Sequence, residues 1–175
     1  MDLRAAILQE HSKANITRLA DWVGSDKKRI ETLVQLFLHD EYRVVQRAAW
    51  ILSEVATAAI SEVTPYIGPM LERCRDNGIP VSVKRNVTRI LQRIPIPEAH
   101  HGTAMNLCFE LLADPKETIA VRCFSMGILA ELCGPYPELK QELRSLLESA
   151  LEHEDTTPAF RNKSGKVLQL LRGKR

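Results

Sequence analysis

Val45-Gln46-Arg47-Ala48-Ala49, Val83-Lys84-Arg85-Asn86-Val87, Val121-Arg122-Cys123-Phe124-Ser125 and Phe160-Arg161-Asn162-Lys163-Ser164 decide the fold. Each opens on an apolar residue followed by a long polar one, and the openings lie 38, 38 and 39 residues apart. Seven residues beyond each opening stands a second apolar mark, at Leu52, Ile90, Ile128 and Val167. Seven residues are close to two helical turns, so both marks face one side. Upstream, Leu36, Cys74, Leu112 and Leu151 keep the same spacing. Leu33, Leu71 and Phe109 precede that column by three residues, on the same helical face. A period near 38 with two helices per unit indicates helical hairpins that bury their apolar faces by stacking on one another.

The first helices of the pairs, here called outer, are expected at about 26–38, 63–75, 98–112 and 138–152. The second, inner helices are expected at about 42–59, 80–94, 116–134 and 157–172. In the first inner helix, Val45, Ala49, Leu52 and Ala56 form one apolar stripe. Stop signals divide the segments: Asp76-Asn77-Gly78 before Pro80, Asp114-Pro115, Pro95 with Pro97, and Gly134-Pro135-Tyr136-Pro137. Residues 1–24 form an amphipathic N-terminal cap, with Ile16, Leu19, Ala20 and Val23 on one side and a kink near Ser12. The expectation is an all-α, right-handed α-solenoid in one domain spanning 1–175. Its four hairpins fall at 26–59, 63–94, 98–134 and 138–172, and no strand is expected.

These segments resemble the HEAT-repeat, armadillo-like family. HEAT units place an Asp in the turn before the second helix and a cation early in that helix. The resemblance implies Asp40, Asp76, Asp114 and Asp155 in the first role, and Gln46, Lys84, Arg122 and Arg161 in the second. Gln46 departs from the pattern because it carries no charge. The resemblance covers roughly 26–172 and implies a scaffold that binds other proteins. HEAT-like alkylpurine DNA glycosylases share this scaffold and hold a damaged base in a basic cleft with tryptophans and one carboxylate. That likeness implies nucleic-acid binding, or glycosylase-type activity through Trp50 and Glu54, as the alternative. The chain is also similar to short helical proteins named for adenylosuccinate lyase, but it lacks that superfamily's serine-rich loop and Met-Pro-x-Lys-x-Asn element.

A chain of 175 residues with 45% hydrophobic and 5% aromatic residues builds its core mainly from Leu, Ile, Val and Ala. The stretch Ala48–Ile60, interrupted by Ser53, Glu54 and Thr57, is too short and polar to span a bilayer. Met1-Asp2-Leu3-Arg4 lacks the features of a secretion signal, so a cytoplasmic location is expected. Cys74, Cys108, Cys123 and Cys133 form no C-x-x-C pair and are expected to be buried free thiols. No metal-binding, phosphate-loop or nucleophile motif occurs, and adjacent His100 and His101 point about 100° apart on a helix. Asp21 and Glu54 have no partner at helical spacing. No cofactor, metal, membrane or catalytic residue is therefore expected.

The net charge of +2 hides a separation of sign. Continued to the chain end, the inner segments hold fourteen cations against Glu54, Glu117 and Glu131, whereas the outer segments with their turn acids are net negative. Lys84, Arg122 and Arg161 are expected to pair with turn acids between repeats. The binding groove is expected on the inner helices at Arg43, Arg47, Trp50, Arg85, Arg89 and Lys166, facing a protein with an acidic segment. Trp50 could also fill a gap beneath the cap, and Trp22 is expected to pack at the cap's end.

Overall fold

The computed structural model describes residues 1–173; Lys174 and Arg175, counted above among the cations, lie outside them. All regular structure among these residues is helical. The chain divides into two compact units, Met1–His100 and His101–Arg175.

In the first unit, α1 (Leu3–Gln9) and α2 (Lys13–Val23) precede the hairpin of α3 (Lys27–His39) and α4 (Tyr42–Val55). The next outer element is broken into α5 (Ile60–Val63), a 3-10 turn (Thr64–Tyr66) and α6 (Ile67–Arg73), and its inner partner is α7 (Val81–Leu91). Helix α4 is the hub, packed on α3 and α7 and covered by α1 and α2. The second unit holds the hairpins α8 (His101–Ala113) with α9 (Ile119–Leu132), and α10 (Leu139–His153) with α11 (Pro158–Leu171). Helix α9 packs on both α8 and α11. Each unit thus contains two hairpins, with inner helices in contact in sequence order.

The columns that set the period form the core. Val45, Val83, Val121 and Phe160 are all 0% exposed, and Leu52, Ile90, Ile128 and Val167 reach 2% at most. Burial of such a side chain stabilises by about 1.5–3 kcal/mol. Leu33 and Leu71 are equally buried, but Phe109 in the same column is only half-buried.

Local chemistry sets the helix ends. Asp2, Ser12, Asp26 and Thr157 each accept a backbone N–H three residues ahead, capping α1, α2, α3 and α11. Gly24 ends α2 at φ 52° and ψ −133°, a conformation open only to glycine. The expected kink near Ser12 is a full break between α1 and α2. The second outer element is less regular than expected because Pro65 supplies no N–H within the 3-10 turn. His100 closes over this element so tightly that a Cβ on Gly68 would stand 2.7 Å from its Cε1.

Helix α1 is short, and its last carbonyls have no partners of their own. Buried Asn15 donates from Nδ2 to Ala6 O at 3.1 Å and to Glu10 O at 3.0 Å. Arg47 Nη1 donates to Ile7 O at 2.8 Å and Leu8 O at 3.2 Å. At the other end, Arg4 donates to both carboxylate oxygens of Asp40, at 2.8 and 3.0 Å. Polar side chains therefore hold both ends of α1, while Leu3, Ala6 and Ile7 are buried beneath it.

Candidate binding face

The outward face of α4 carries Arg43, Arg47, Trp50 and Glu54, spaced to form one helical stripe. On the neighbouring α7, Arg85 and Arg89 form a parallel stripe. The two meet where Arg89 Nη1 donates to Glu54 Oε1 at 3.1 Å, and Ser53 Oγ lies 3.5 Å from the same nitrogen. The inner helices therefore bring Arg43, Arg47, Trp50, Arg85 and Arg89 onto one side of the first unit. Lys166 is exposed on α11 of the second unit.

The five residues are not equally available. Arg43 and Arg85 are exposed. Arg47 differs from the expected open cation: it is half-buried and spends its guanidinium on the end of α1. Arg89 is partly neutralised by Glu54. Trp50 is half-buried, with His11 edge-on at 6.0 Å between ring centroids. His11 belongs to the α1–α2 link, so the cap covers part of the indole. Trp22 is half-buried as well, with the Arg29 guanidinium 4.3 Å above its ring.

Asp21 and Glu54, isolated in sequence, line the same shallow groove of about 340 Å³ with Thr17, Ala20, Gly24, Val55 and Ala58. Packing of α2 on α4 brings them there across 33 positions, a distance that helical spacing cannot reveal. The inner face of the first unit is thus mixed: cationic at Arg43 and Arg85, acidic beside the cap.

The second unit spends its main inner cation on structure. Arg122 is 3% exposed and donates to Glu154 through Nη1 at 2.7 Å and Nη2 at 3.2 Å. Its Nε donates to Leu112 O at 2.9 Å, and the guanidinium lies 4.4 Å from the Phe160 ring centroid. The acid is Glu154 of the following turn, in place of the Asp155 named by the family pattern. Elsewhere Asp76 pairs with Arg73, Asp114 accepts the Lys116 amide, and Arg161 donates to Thr156 O. Arg122 makes the expected pairing with a turn acid.

None of the four cysteines is in a disulfide; Cys74, Cys108 and Cys133 are buried, and burial pushes the Cys108 thiol up to about 12. Cys123 departs from expectation in being half-buried, on the side of α9 near Lys163. Among the described residues no group of three or more His, Cys, Asp or Glu could hold a metal ion, and no helix is long and apolar enough to cross a membrane.

A family model described as a HEAT repeat domain matches residues 3–171. The chain belongs to the HEAT-repeat family. This HEAT-repeat chain is also similar to a crystal structure described as an engineered protein, at 14% identity and a TM-score of 0.64. That alignment covers 97% of this chain and 78% of the other, and it bears on the fold alone. No curated protein matches the sequence.

Proposed function

We propose that this HEAT-repeat chain is a non-enzymatic, cytoplasmic scaffold that binds an acidic segment of another protein on the inner helices of its first unit. The observation that carries this reading is the exposure of Arg43 and Arg85 on packed helices, beside the half-open ring of Trp50. An indole with a hydrophobic body and nearby guanidinium groups suits a peptide carrying carboxylates around an apolar anchor. Lys166, with Lys163 near it on α11, is a separate basic contribution within the second unit. The glycosylase-type alternative relies on Glu54, whose carboxylate is held by Arg89. Nucleic acid is accordingly an outcome to test.

Partners captured from a cytosolic extract should be identified and titrated against wild type, Arg43→Glu/Arg85→Glu and Trp50→Ala. For an acidic protein segment, both variants should weaken binding, Trp50→Ala by about 2 kcal/mol. For duplex DNA, log affinity should instead fall with log salt by about 0.9 per phosphate neutralised, and alkylated DNA should lose free base if the chain is a glycosylase. Unchanged binding in both variants would remove this face from consideration.

A further inference from the structure

Two groups of the chain itself already sit on the inner face of the first unit. The His11 imidazole stands edge-on to the Trp50 indole, with 6.0 Å between ring centroids and 82° between planes. One turn further along α4, the Glu54 carboxylate accepts from Arg89 Nη1 at 3.1 Å. The face thus takes a ring edge on its indole and a carboxylate on its guanidinium. An acidic segment with an aromatic residue would present the same two groups.

Both groups are placed so that they can leave. His11 is exposed, and among the described residues its imidazole makes no hydrogen bond. The backbone around it is pinned on both sides: Asn15 Nδ2 donates to Glu10 O at 3.0 Å, and Ser12 Oγ accepts the Asn15 amide at 3.1 Å. Arg47 holds Ile7 O and Leu8 O as well. Turning His11 about its own side-chain bonds therefore uncovers the indole without loosening the cap, and exposed side chains turn within nanoseconds. The Glu54 and Arg89 side chains are 38% and 26% exposed, so an arriving carboxylate can exchange with this pair in water.

We infer that His11 and Glu54 are built-in competitors, which hold the Trp50 and Arg89 part of the face closed until an acidic, aromatic-bearing segment displaces them. The inference rests on the acidic-segment reading proposed above and adds how access to that face is regulated. On binding, an aromatic side chain of the partner replaces the imidazole on Trp50, and a partner carboxylate replaces Glu54 on Arg89. Each internal contact lowers the apparent affinity by the fraction of molecules it keeps closed, roughly two- to fivefold for pairs of this kind. The groups to be replaced fix the occupant: a basic segment offers Arg89 nothing and would meet exposed Arg43 and Arg85.

The test uses the full chain carrying Trp22→Phe, which leaves Trp50 as its one indole, and a short fluorescein-labelled peptide of Glu and Ser around a central Phe. Acrylamide should quench Trp50 more strongly in His11→Ala than in the parent. His11→Phe, which keeps a ring edge on the indole, should restore the parent value. By anisotropy, His11→Ala and Glu54→Gln should each bind the peptide at least about twofold more tightly, and the double variant about fivefold. Asp21→Asn removes the same charge from the same groove but releases no cation among the described residues, so its affinity should stay with the parent. Unchanged quenching in His11→Ala would overturn the inference while leaving the acidic-segment reading in place. Equal gains from Glu54→Gln and Asp21→Asn would overturn it too, by reducing the effect to net charge. So would unchanged or weaker binding in His11→Ala, which would make His11 a bystander or part of the docking surface. Quenching that rises as expected, with no variant binding the peptide, would overturn the acidic-segment reading and this inference together.

Discussion

Arg122 illustrates how a residue nominated for its charge becomes part of the core. Its guanidinium makes two bonds to Glu154 and one to Leu112 O while lying against Phe160, all with 3% of the side chain exposed. Removing one member of such a pair strands the other and opens a gap beside an aromatic ring. Arg122→Ala should therefore destabilise the protein by about 3–5 kcal/mol, read from chemical denaturation. Arg122→Lys should recover little, because an ammonium cannot reproduce a planar fork with three simultaneous acceptors. Near-equal stability of the lysine variant and wild type would show that charge alone is what the site needs.

At the scale of elements, the inner and outer helices were legible because their apolar columns recur, and buried columns cannot drift without exposing the core. The break at Ser12 was partly legible, since a capping serine leaves a local mark, whereas the outer helix expected at 63–75 is interrupted at Pro65. The groove that Asp21 and Glu54 share was not legible, because it depends on how α2 settles across α4. The same holds for Arg47, whose partners are carbonyls forty positions away that any sequence would supply. Arg47→Met keeps the aliphatic stem but removes the donors to Ile7 and Leu8. Hydrogen exchange in residues 3–9 should then accelerate while α3 and α4 stay protected; unchanged protection of α1 would discount these bonds. The N-terminal end of α1 adds a pH dependence. Hydrogen bonding from Arg4 holds the Asp40 carboxyl below its ordinary 3.8. A lowered folded-state value means that the contribution is present above 3.8 and lost as pH falls through the lower value. Protection of α1 should drop in that acid range in wild type, and Asp40→Asn should abolish the dependence.

For the molecule as a whole, a formal charge of +2 says little about association, because cations and acids occupy different helices. The first unit offers Arg43 and Arg85 to a ligand. An acidic ligand should lose affinity as salt rises from 0.05 to about 0.5 M, because rim charges act mainly on association rates and are screened. Stopped-flow measurements should place most of the loss in the on-rate; a loss confined to the off-rate would mean that the charges are buried on binding. In the cation column, read from sequence as a ladder, Arg122 pairs with a turn acid and Gln46 has no charge to give. The register of the Arg122 pair, in which a cation meets the acid of the following turn, has a consequence at the other end of the array. Asp40, the first turn acid, follows the cap and takes its cation from Arg4 of α1, so the position that would join one module to the next here receives a terminator. Lengthening the array by grafting a hairpin ahead of Lys27 would then require more than a matching apolar face. The graft would have to bring its own cation for Asp40 and its own acceptors for Arg47, or leave both stranded at the new seam.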